Sequence, residues 1–239
     1  MRWLKNRFEK EGAGLPAPET GWARVGVMAL THFWKLVAAN LLFVVFSLPV
    51  VTLPAALTAL NRVCVIIYKD GNIFLWYEFW KEFKRSLLRQ LPPFLGFSLL
   101  LFGGYFFMSL GNGNAQRGFT GILFWAIGIL MAAVAVIVGE YYFVVSAVLD
   151  IGVGGALKNS LLLWMSRPLS GLLILLWVVL LTVAMAALLP IGIVLLILLW
   201  PVLAQYPASF LVYDVTEDLV LIPYEEQQQK AAEKDHNLS

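Results

Sequence analysis

Long apolar runs separated by short polar connections make up most of the chain. An apolar run of about 20 residues is long enough to cross a membrane as a helix. Runs of this kind occur at residues 93–110, 120–148, 169–189 and 191–212, and two shorter ones precede them at residues 33–51 and 55–69. The pattern predicts an all-α membrane protein with six transmembrane helices.

A proline-rich segment separates the first two runs and predicts a bend between helices. Proline lacks the backbone N–H and clashes with the preceding turn, so it interrupts a helix. The helix-bend motif comprises Ser47, Pro49, Thr52 and Pro54. The run that follows, residues 55–69, would extend only about 22 Å as a helix. It is either a short tilted span, which we favour, or a re-entrant half-helix.

The lysines and arginines indicate the orientation of these spans. In a six-helix arrangement, 15 of the 17 lie on one side, whereas Arg117 lies on the other and Arg62 falls within a span. Because cytoplasmic loops are enriched in basic residues, we expect three in–out–in hairpins with both termini in the cytoplasm. The chain then divides into a cytoplasmic N-terminal segment (1–21), a single transmembrane domain (22–218) and a polar cytoplasmic tail (219–239).

Similar short sequences precede and close the predicted hairpins. Residues 32–35 (HFWK) resemble residues 78–81 (EFWK), and residues 84–88 (KRSLL) resemble residues 158–162 (KNSLL). An aspartate follows each hairpin, at Asp70, Asp150 and Asp214. The similarity is compatible with a threefold parallel pseudo-repeat, an arrangement known from transporters. Interfacial aromatic residues and aspartates at span ends also recur in membrane proteins that have no repeat.

Residues 74–91 predict an amphipathic helix on the cytoplasmic side. Aromatic residues and leucines cluster on one side of the helical period, and lysines and arginines favour the other. Such a helix lies at the membrane surface, with its rings at headgroup depth and its basic groups toward anionic lipid. Anchoring to the bilayer is the role we favour, and docking of a cytoplasmic partner is the alternative.

Composition narrows the class of function. The chain is 60% hydrophobic and 13% charged, with a mean hydropathy of +0.80, so it is too apolar for a soluble enzyme. A net charge of +2 offers no strongly basic face to nucleic acid. The single cysteine, Cys64, and two distant histidines give no metal-ligand set, and no catalytic motif occurs. We therefore expect neither an enzyme nor a cofactor.

Three polar residues interrupt the spans at a similar depth. Arg62, Glu140 and Gln205 each lie eight to ten residues before the aspartate that closes their hairpin, and charges within spans are functional candidates because burying them is costly. Sequence neighbours complete a predicted intramembrane polar cluster: Asn61, Tyr141, Tyr142 and Tyr206. We expect Arg62 and Glu140 to form an ion pair. Its role is open between fixing helix register and providing a polar site for a solute or proton.

Several segments resemble one family. Residues 40–43 (NLLF) and 47–60 (SLPVVTLPAALTAL) are similar to the signature of the YesL family of bacterial membrane proteins, also called DUF624. Residues 79–86 (FWKEFKRS) and 157–161 (LKNSL) resemble later blocks, and the similarity extends over most of residues 25–215. The family supplies no established activity and no catalytic residues. Its members are often encoded beside carbohydrate ABC importers and sensor kinases, which implies a bacterial cytoplasmic membrane protein linked to sugar uptake.

Two functions are compatible with these observations. The first is an accessory protein of a carbohydrate ABC importer or its regulation, with ABC components or a sensor kinase as partners. The second is a small-solute transporter with a mid-membrane polar site. A filled interior around the polar cluster would favour the first, and a continuous water-accessible cavity would favour the second.

Overall fold

The computed structural model describes residues 21–71, 73–113, 118–187, 199–224 and 227–229. The regular secondary structure within these ranges is entirely helical. The α-helices are α1 (Gly21–Thr31), α2 (Phe33–Ser47), α3 (Leu53–Lys69), α4 (Leu75–Ser86), α5 (Leu91–Gly113), α6 (Phe119–Val148), α7 (Val153–Ser166), α8 (Pro168–Ala187) and α9 (Trp200–Thr216). A short 3₁₀ turn, Val50–Thr52, precedes α3, and a π-helical turn, Glu217–Leu221, follows α9.

Four helical segments in the described part of the chain are long and apolar enough to cross a membrane. They are Val50–Lys69, Leu91–Gly113, Phe119–Val148 and Pro168–Ala187. Helices α1 and α2 form a fifth candidate if they are counted together, although they are bent by 80° where they meet. The all-helical membrane class predicted from the apolar runs is thus supported, with four or five candidate spans.

The helix-bend motif lies at a break between helices. Helix α2 ends at Ser47, four residues before the end of the predicted span. The Thr52 hydroxyl donates to the carbonyl oxygens of Phe46 (2.5 Å) and Pro49 (2.7 Å), so it bonds backbone groups freed by the break. Pro54 lies in the first turn of α3, where its missing N–H costs no helical hydrogen bond. With the 3₁₀ turn included, this predicted short span reaches 20 residues.

The predicted amphipathic helix is shorter than the pattern suggested. Helix α4 covers only Leu75–Ser86, a turn occupies residues 87–90, and α5 begins at Leu91. Pro92 and Pro93 explain the restart, because proline is tolerated in the first turn of a helix but not in its interior. The lead-in and the third predicted span are therefore two helices rather than one continuous rod.

Several predictions fall on residues outside the described ranges. They concern the N-terminal segment up to residue 20, residues 191–198 of the sixth predicted span and most of the polar tail. The rest of that sixth span belongs to α9, which continues past residue 212 to Thr216.

The buried core lies along α3, α9 and the second half of α6. Fully buried side chains include Leu60, Val63, Val144 and Val212. In helices α5 and α8, in contrast, Ile174 and three glycines are the only buried residues. The core therefore includes α3 and α9 along their whole length and α6 mainly along its C-terminal half.

Candidate functional site

Side chains from three helices bond to one face of α9. The Asn40 side-chain oxygen accepts from the backbone N–H of Val202 (3.0 Å), which lies in the first turn of α9 and has no helical acceptor. One turn on, the Gln205 amide donates to Glu140 Oε1 (2.9 Å). A further turn on, the Ser209 hydroxyl donates to Asn61 Oδ1 (3.1 Å). We call this set the α9 polar seam: Asn40, Asn61, Glu140, the Val202 N–H, Gln205 and Ser209.

Part of the predicted polar cluster is thus brought together. Glu140, Gln205 and Asn61 meet along α9, because positions 205 and 209 are one helical turn apart on the same face. Three polar atoms of the seam are buried without a protein hydrogen-bond partner in the described residues: Asn61 Nδ2, Glu140 Oε2 and Gln205 Oε1. The seam joins α2, α3 and α6 to α9 and retains unused hydrogen-bonding capacity.

The predicted ion pair between Arg62 and Glu140 is wrong. Arg62 Nη1 donates to the carbonyl oxygen of Ala147 (3.1 Å), and Arg62 Nε lies 4.0 Å from Glu78 Oε2. Glu140 bonds Gln205 instead. Ala147 follows Glu140 by seven residues, which is about 10 Å along α6. The guanidinium therefore lies near the helix end, about two turns away from the carboxylate it was expected to meet.

The reach of the arginine side chain explains this error. The number of residues between Arg62 and Asp70, or between Glu140 and Asp150, gives the depth of the Cα atom in the membrane. An arginine side chain is long and carries its charge from that depth toward the polar end of the helix. Asp70 and Asp150 also need not lie at the same depth, because they end different helices. The Glu140 side chain is shorter than that of arginine, and its carboxylate bonds Gln205 close to the depth of its own Cα atom.

Two of the three predicted tyrosines contact helices outside the seam. The Tyr206 hydroxyl donates to the carbonyl oxygen of Val25 in α1, at 3.4 Å. The Tyr142 ring packs against Phe97 of α5, with ring centroids 5.8 Å apart. The third, Tyr141, is fully buried.

A second polar network, which the sequence analysis missed, connects α4 to the end of α6. The Arg85 guanidinium donates to Glu82 Oε1 (3.0 and 3.2 Å), to Asp150 Oδ1 (3.0 Å) and to the Ser146 carbonyl oxygen (3.1 Å). The Ser86 hydroxyl also donates to Glu82 Oε1, at 2.8 Å. Gln90 extends this network to the Ser146 hydroxyl. We call these residues the α4–α6 network.

A signal for this network is present in the sequence. Phe79, Glu82, Phe83, Ser86 and Gln90 are spaced by three, one, three and four residues, which places them on one helical face. Glu82 and Gln90 stand among the basic residues of this segment, but both are buried. A carboxylate on the apolar face of an amphipathic helix indicates a buried partner, and that partner is Arg85.

Basic side chains also contact the C-terminal ends of the other two core helices. Arg24 of α1 donates to the carbonyl oxygens of Tyr68 (3.0 Å) and Lys69 at the end of α3. Arg167, between α7 and α8, donates to Asp218 Oδ2 (2.8 Å) just beyond α9. Carbonyl groups at a helix C-terminus lack helical donors and carry a partial negative charge, so cations are favoured there.

Two polar cavities meet at Arg62. One of about 150 Å³ lies between α3, α4 and the end of α6, and its lining includes Arg62, Glu78, Lys81 and Asp150. The other, of about 310 Å³, lies between α3, α6 and α9 and is lined partly by Arg62 and Lys69. Neither lining contains Glu140 or Gln205. These two cavities therefore lie at the helix ends, separate from the α9 polar seam.

Groups suited to metal binding are sparse. The single cysteine, Cys64, is buried in α3. In the portion of the chain that the structure describes, no three histidine, cysteine, aspartate or glutamate side chains are grouped so that they could hold a metal ion. The chemistry that these cavities offer is recognition by charge and hydrogen bonding.

Comparison with known families addresses the predicted resemblance. Residues 36–110 match the family described as "Protein of unknown function, DUF624". The predicted resemblance to DUF624 is confirmed over these residues. The matched residues run from α2 to α5 and contain the helix-bend motif, Arg62 and all of α4, whereas Glu140 and Gln205 lie outside the match. No curated protein and no solved structure matches this chain.

Proposed function

We propose that this DUF624 protein is an integral membrane accessory protein of bacterial carbohydrate uptake, acting with ABC importer components or their sensor kinase. The observation that carries the proposal is the separation between the cavities and the seam. The cavities at Arg62 lie at helix ends, and their linings exclude Glu140 and Gln205. A protein that works through its surface needs accessible groups at the helix ends and a packed interior, whereas a transporter needs a path that reaches mid-membrane.

The proposed topology is six spans in three in–out–in hairpins, with both termini on the cytoplasmic side of the bacterial membrane. Contacts between sequential helices support it. Gly104 of α5 faces Gly128 of α6, and Trp177 of α8 donates to the Leu203 carbonyl oxygen of α9 (3.0 Å). The basic residues of the connections, which are typical of cytoplasmic loops, support the orientation.

A threefold pseudo-repeat is supported by a shared contact in the three proposed hairpins. In each one, an arginine from the lead-in segment reaches the C-terminal end of the returning helix: Arg24 at α3, Arg85 at α6 and Arg167 at α9. The matching serines of the similar lead-ins each donate to the residue four positions earlier, Ser86 to the Glu82 carboxylate and Ser160 to the Ala156 carbonyl oxygen. We infer that the repeat organises the cytoplasmic ends.

Helix α4 is the surface on which we expect the membrane or a partner to act. Trp76 and Tyr77 are exposed on it, and the Lys84 ammonium lies 4.8 Å from the Trp80 ring centroid. Exposed rings beside lysines suit the headgroup region of an anionic membrane. Anchoring α4 at that surface would hold the neighbouring cytoplasmic helix ends in place for a partner protein.

The test combines a flux assay with a binding assay. The purified chain would be reconstituted into liposomes and tested for uptake of an oligosaccharide panel, while a tagged chain would be used to recover ABC importer components and sensor kinases from its own membranes. We expect no flux above that of empty liposomes, together with specific recovery of one of these partners. Protein-dependent oligosaccharide flux, or recovery of neither partner, would contradict the accessory role.

One observation favours small-solute transport as a second candidate. The unpaired polar atoms of the α9 polar seam lie in the buried core, where hydrogen-bonding groups are normally satisfied. A solute or proton at the seam would satisfy them. If transport occurs there, Glu140→Gln should abolish flux, and Glu78→Gln at the cavity mouth should leave most of it.

A further inference from the structure

The two polar cavities share one wall, and that wall is the side chain of Arg62. Together with Val148, Arg62 lines the cavity between α3, α4 and α6 as well as the cavity between α3, α6 and α9. The smaller cavity, about 150 Å³, is several times the roughly 30 Å³ that one water occupies in the liquid. A group of a few heavy atoms can therefore lie against the guanidinium from either side.

Most donors of the Arg62 guanidinium have no hydrogen-bond acceptor among the residues that the structure describes. The group carries five N–H donors in a planar fork, and one nitrogen, Nη1, donates to the Ala147 carbonyl oxygen. The Nε to Glu78 Oε2 distance of 4.0 Å is too long for a hydrogen bond. Arginine binds carboxylate and phosphate groups through two parallel N–H···O bonds, so this geometry suits an oxyanion.

Two of the four carboxylates that line the cavities bond to other groups. Glu82 accepts from Arg85 and Ser86, and Asp150 accepts from Arg85 and lies 3.7 Å from Arg89. The smaller cavity is balanced in charge, since three cations and three carboxylates line it. The larger cavity is lined by Arg62 and Lys69 against the single carboxylate Asp70, so its lining is positive by one charge.

We propose that Arg62, with Lys69 and Lys81 at the flanks of the two cavities, binds a phosphate group. The site lies at the C-terminal ends of α3 and α6, where Arg62 donates to the Ala147 carbonyl oxygen and offsets the partial negative charge of that helix end. The Lys81 ammonium of the lining lies 5.9 Å from the Tyr77 ring centroid. Basic pockets between helices at this level bind anionic lipid headgroups, and a soluble phosphate ester would present the same chemistry. The proposal does not depend on the accessory role, because either a regulator or a transporter could carry such a site.

Binding to the purified full-length chain in a neutral detergent tests the proposal. The probes are inorganic phosphate, dihexanoyl phosphatidylglycerol and, as a lipid without net charge, dihexanoyl phosphatidylcholine, each titrated by calorimetry. The variants are Arg62→Gln and a matched control, Lys158→Gln, which removes an exposed charge on α7 outside both cavity linings. Loss of a charge-assisted contact should weaken binding about tenfold in Arg62→Gln, while Lys158→Gln should bind as the unaltered chain does.

The probes also distinguish the source of the phosphate. A lipid site would bind the phosphatidylglycerol more tightly than either other probe, and excess phosphate would displace it. A site for a soluble ester would bind inorganic phosphate and show no preference between the two lipids. Equal binding of both charged probes by Arg62→Gln and the unaltered chain, or absence of binding to either probe, would overturn the proposal.

A second variant keeps the test decisive if Arg62→Gln does not fold. Glu78→Gln removes the carboxylate that faces Arg62 at 4.0 Å, and no hydrogen bond is lost with it. Removing this competing negative charge should tighten phosphate binding several-fold, and the effect should decrease at high salt. Unchanged or weaker binding by Glu78→Gln would contradict a phosphate site at Arg62.

Discussion

Different interactions hold together the helix ends around Arg85 and the outer part of the α5–α6 pair. At the helix ends, Arg85 joins Glu82, Asp150 and a backbone carbonyl in the α4–α6 network. In the α5–α6 pair, Gly104 and Gly128 bring two backbones into direct contact among exposed apolar side chains. Lipid removes the hydrophobic drive for helices to associate, so close packing and hydrogen bonds must replace it.

The protein therefore uses close backbone packing in the outer part of the α5–α6 pair and hydrogen bonds at the helix ends around Arg85. The glycines pair in register, because Gly104 faces Gly128 while Gly111 faces Gly121 two turns away. Backbone contact of this kind depends on the absence of side chains. The α4–α6 network depends instead on particular side chains, and it lies where water and charged groups are available. Substitutions at the two regions should therefore fail in different ways.

The largest effect is expected from Gly128→Leu. A Cβ at this position would lie 2.6 Å from the Gly104 carbonyl oxygen and 2.9 Å from the Met108 backbone nitrogen. Because the obstacles are backbone atoms, the helices must separate, at a cost of about 3 kcal/mol. Thermal unfolding in detergent measures this loss. Gly96→Leu on α5 is the matched control, because a Cβ at this position would meet nothing within 4 Å. This variant should unfold at the temperature of the unaltered chain. Equal losses would show that glycine contact does not hold the pair.

A smaller loss is expected from Glu82→Ala. This buried carboxylate accepts hydrogen bonds from Arg85 and Ser86, and its removal leaves the serine hydroxyl and the guanidinium without that acceptor. The expected cost is about 2 kcal/mol, measured by the same thermal unfolding. Glu78→Ala, on the same helix, removes a more exposed carboxylate 4.0 Å from Arg62 and should cost less than about 0.5 kcal/mol. Similar losses from both variants would contradict a special role for Glu82.

The smallest single effect is expected from Asn40→Ala. Its side-chain oxygen caps the first turn of α9 from another helix, and interhelical hydrogen bonds in membranes contribute about 1 kcal/mol. The variant should unfold at a slightly lower temperature than Asn159→Ala, which alters an asparagine of α7. No difference between the two would mean that the α9 cap is not needed for stability.

The sequence predicted the elements better than the contacts between them. Within the described residues, the apolar runs form helices and the prolines of the helix-bend motif lie at a break between helices, as local pattern predicts. The partner of Arg62 depends on the relative register of α3 and α6, which is set by packing of apolar faces that many sequences satisfy equally. The length of a side chain then decides which end of the helix its charge reaches.

Two further features were readable in the sequence but were not used. Pro92 and Pro93 mark the start of a helix and hence the end of α4. The glycines at 104 and 111, and those at 121 and 128, are each seven residues apart, which places each pair on one face. Spacing alone identifies such a face, but the facing helix is known only once the hairpin is assembled.

The central claim is that the polar groups of the interior divide between the α9 polar seam and the helix ends. Double-mutant cycles of unfolding free energy test it directly, with alanine at Glu140 and Gln205 in one cycle and at Glu140 and Arg62 in the other. The account predicts a coupling of about 1 kcal/mol for the Glu140–Gln205 pair and additivity within about 0.5 kcal/mol for the Arg62–Glu140 pair. Strong coupling of Arg62 with Glu140, together with additivity of Glu140 and Gln205, would contradict it.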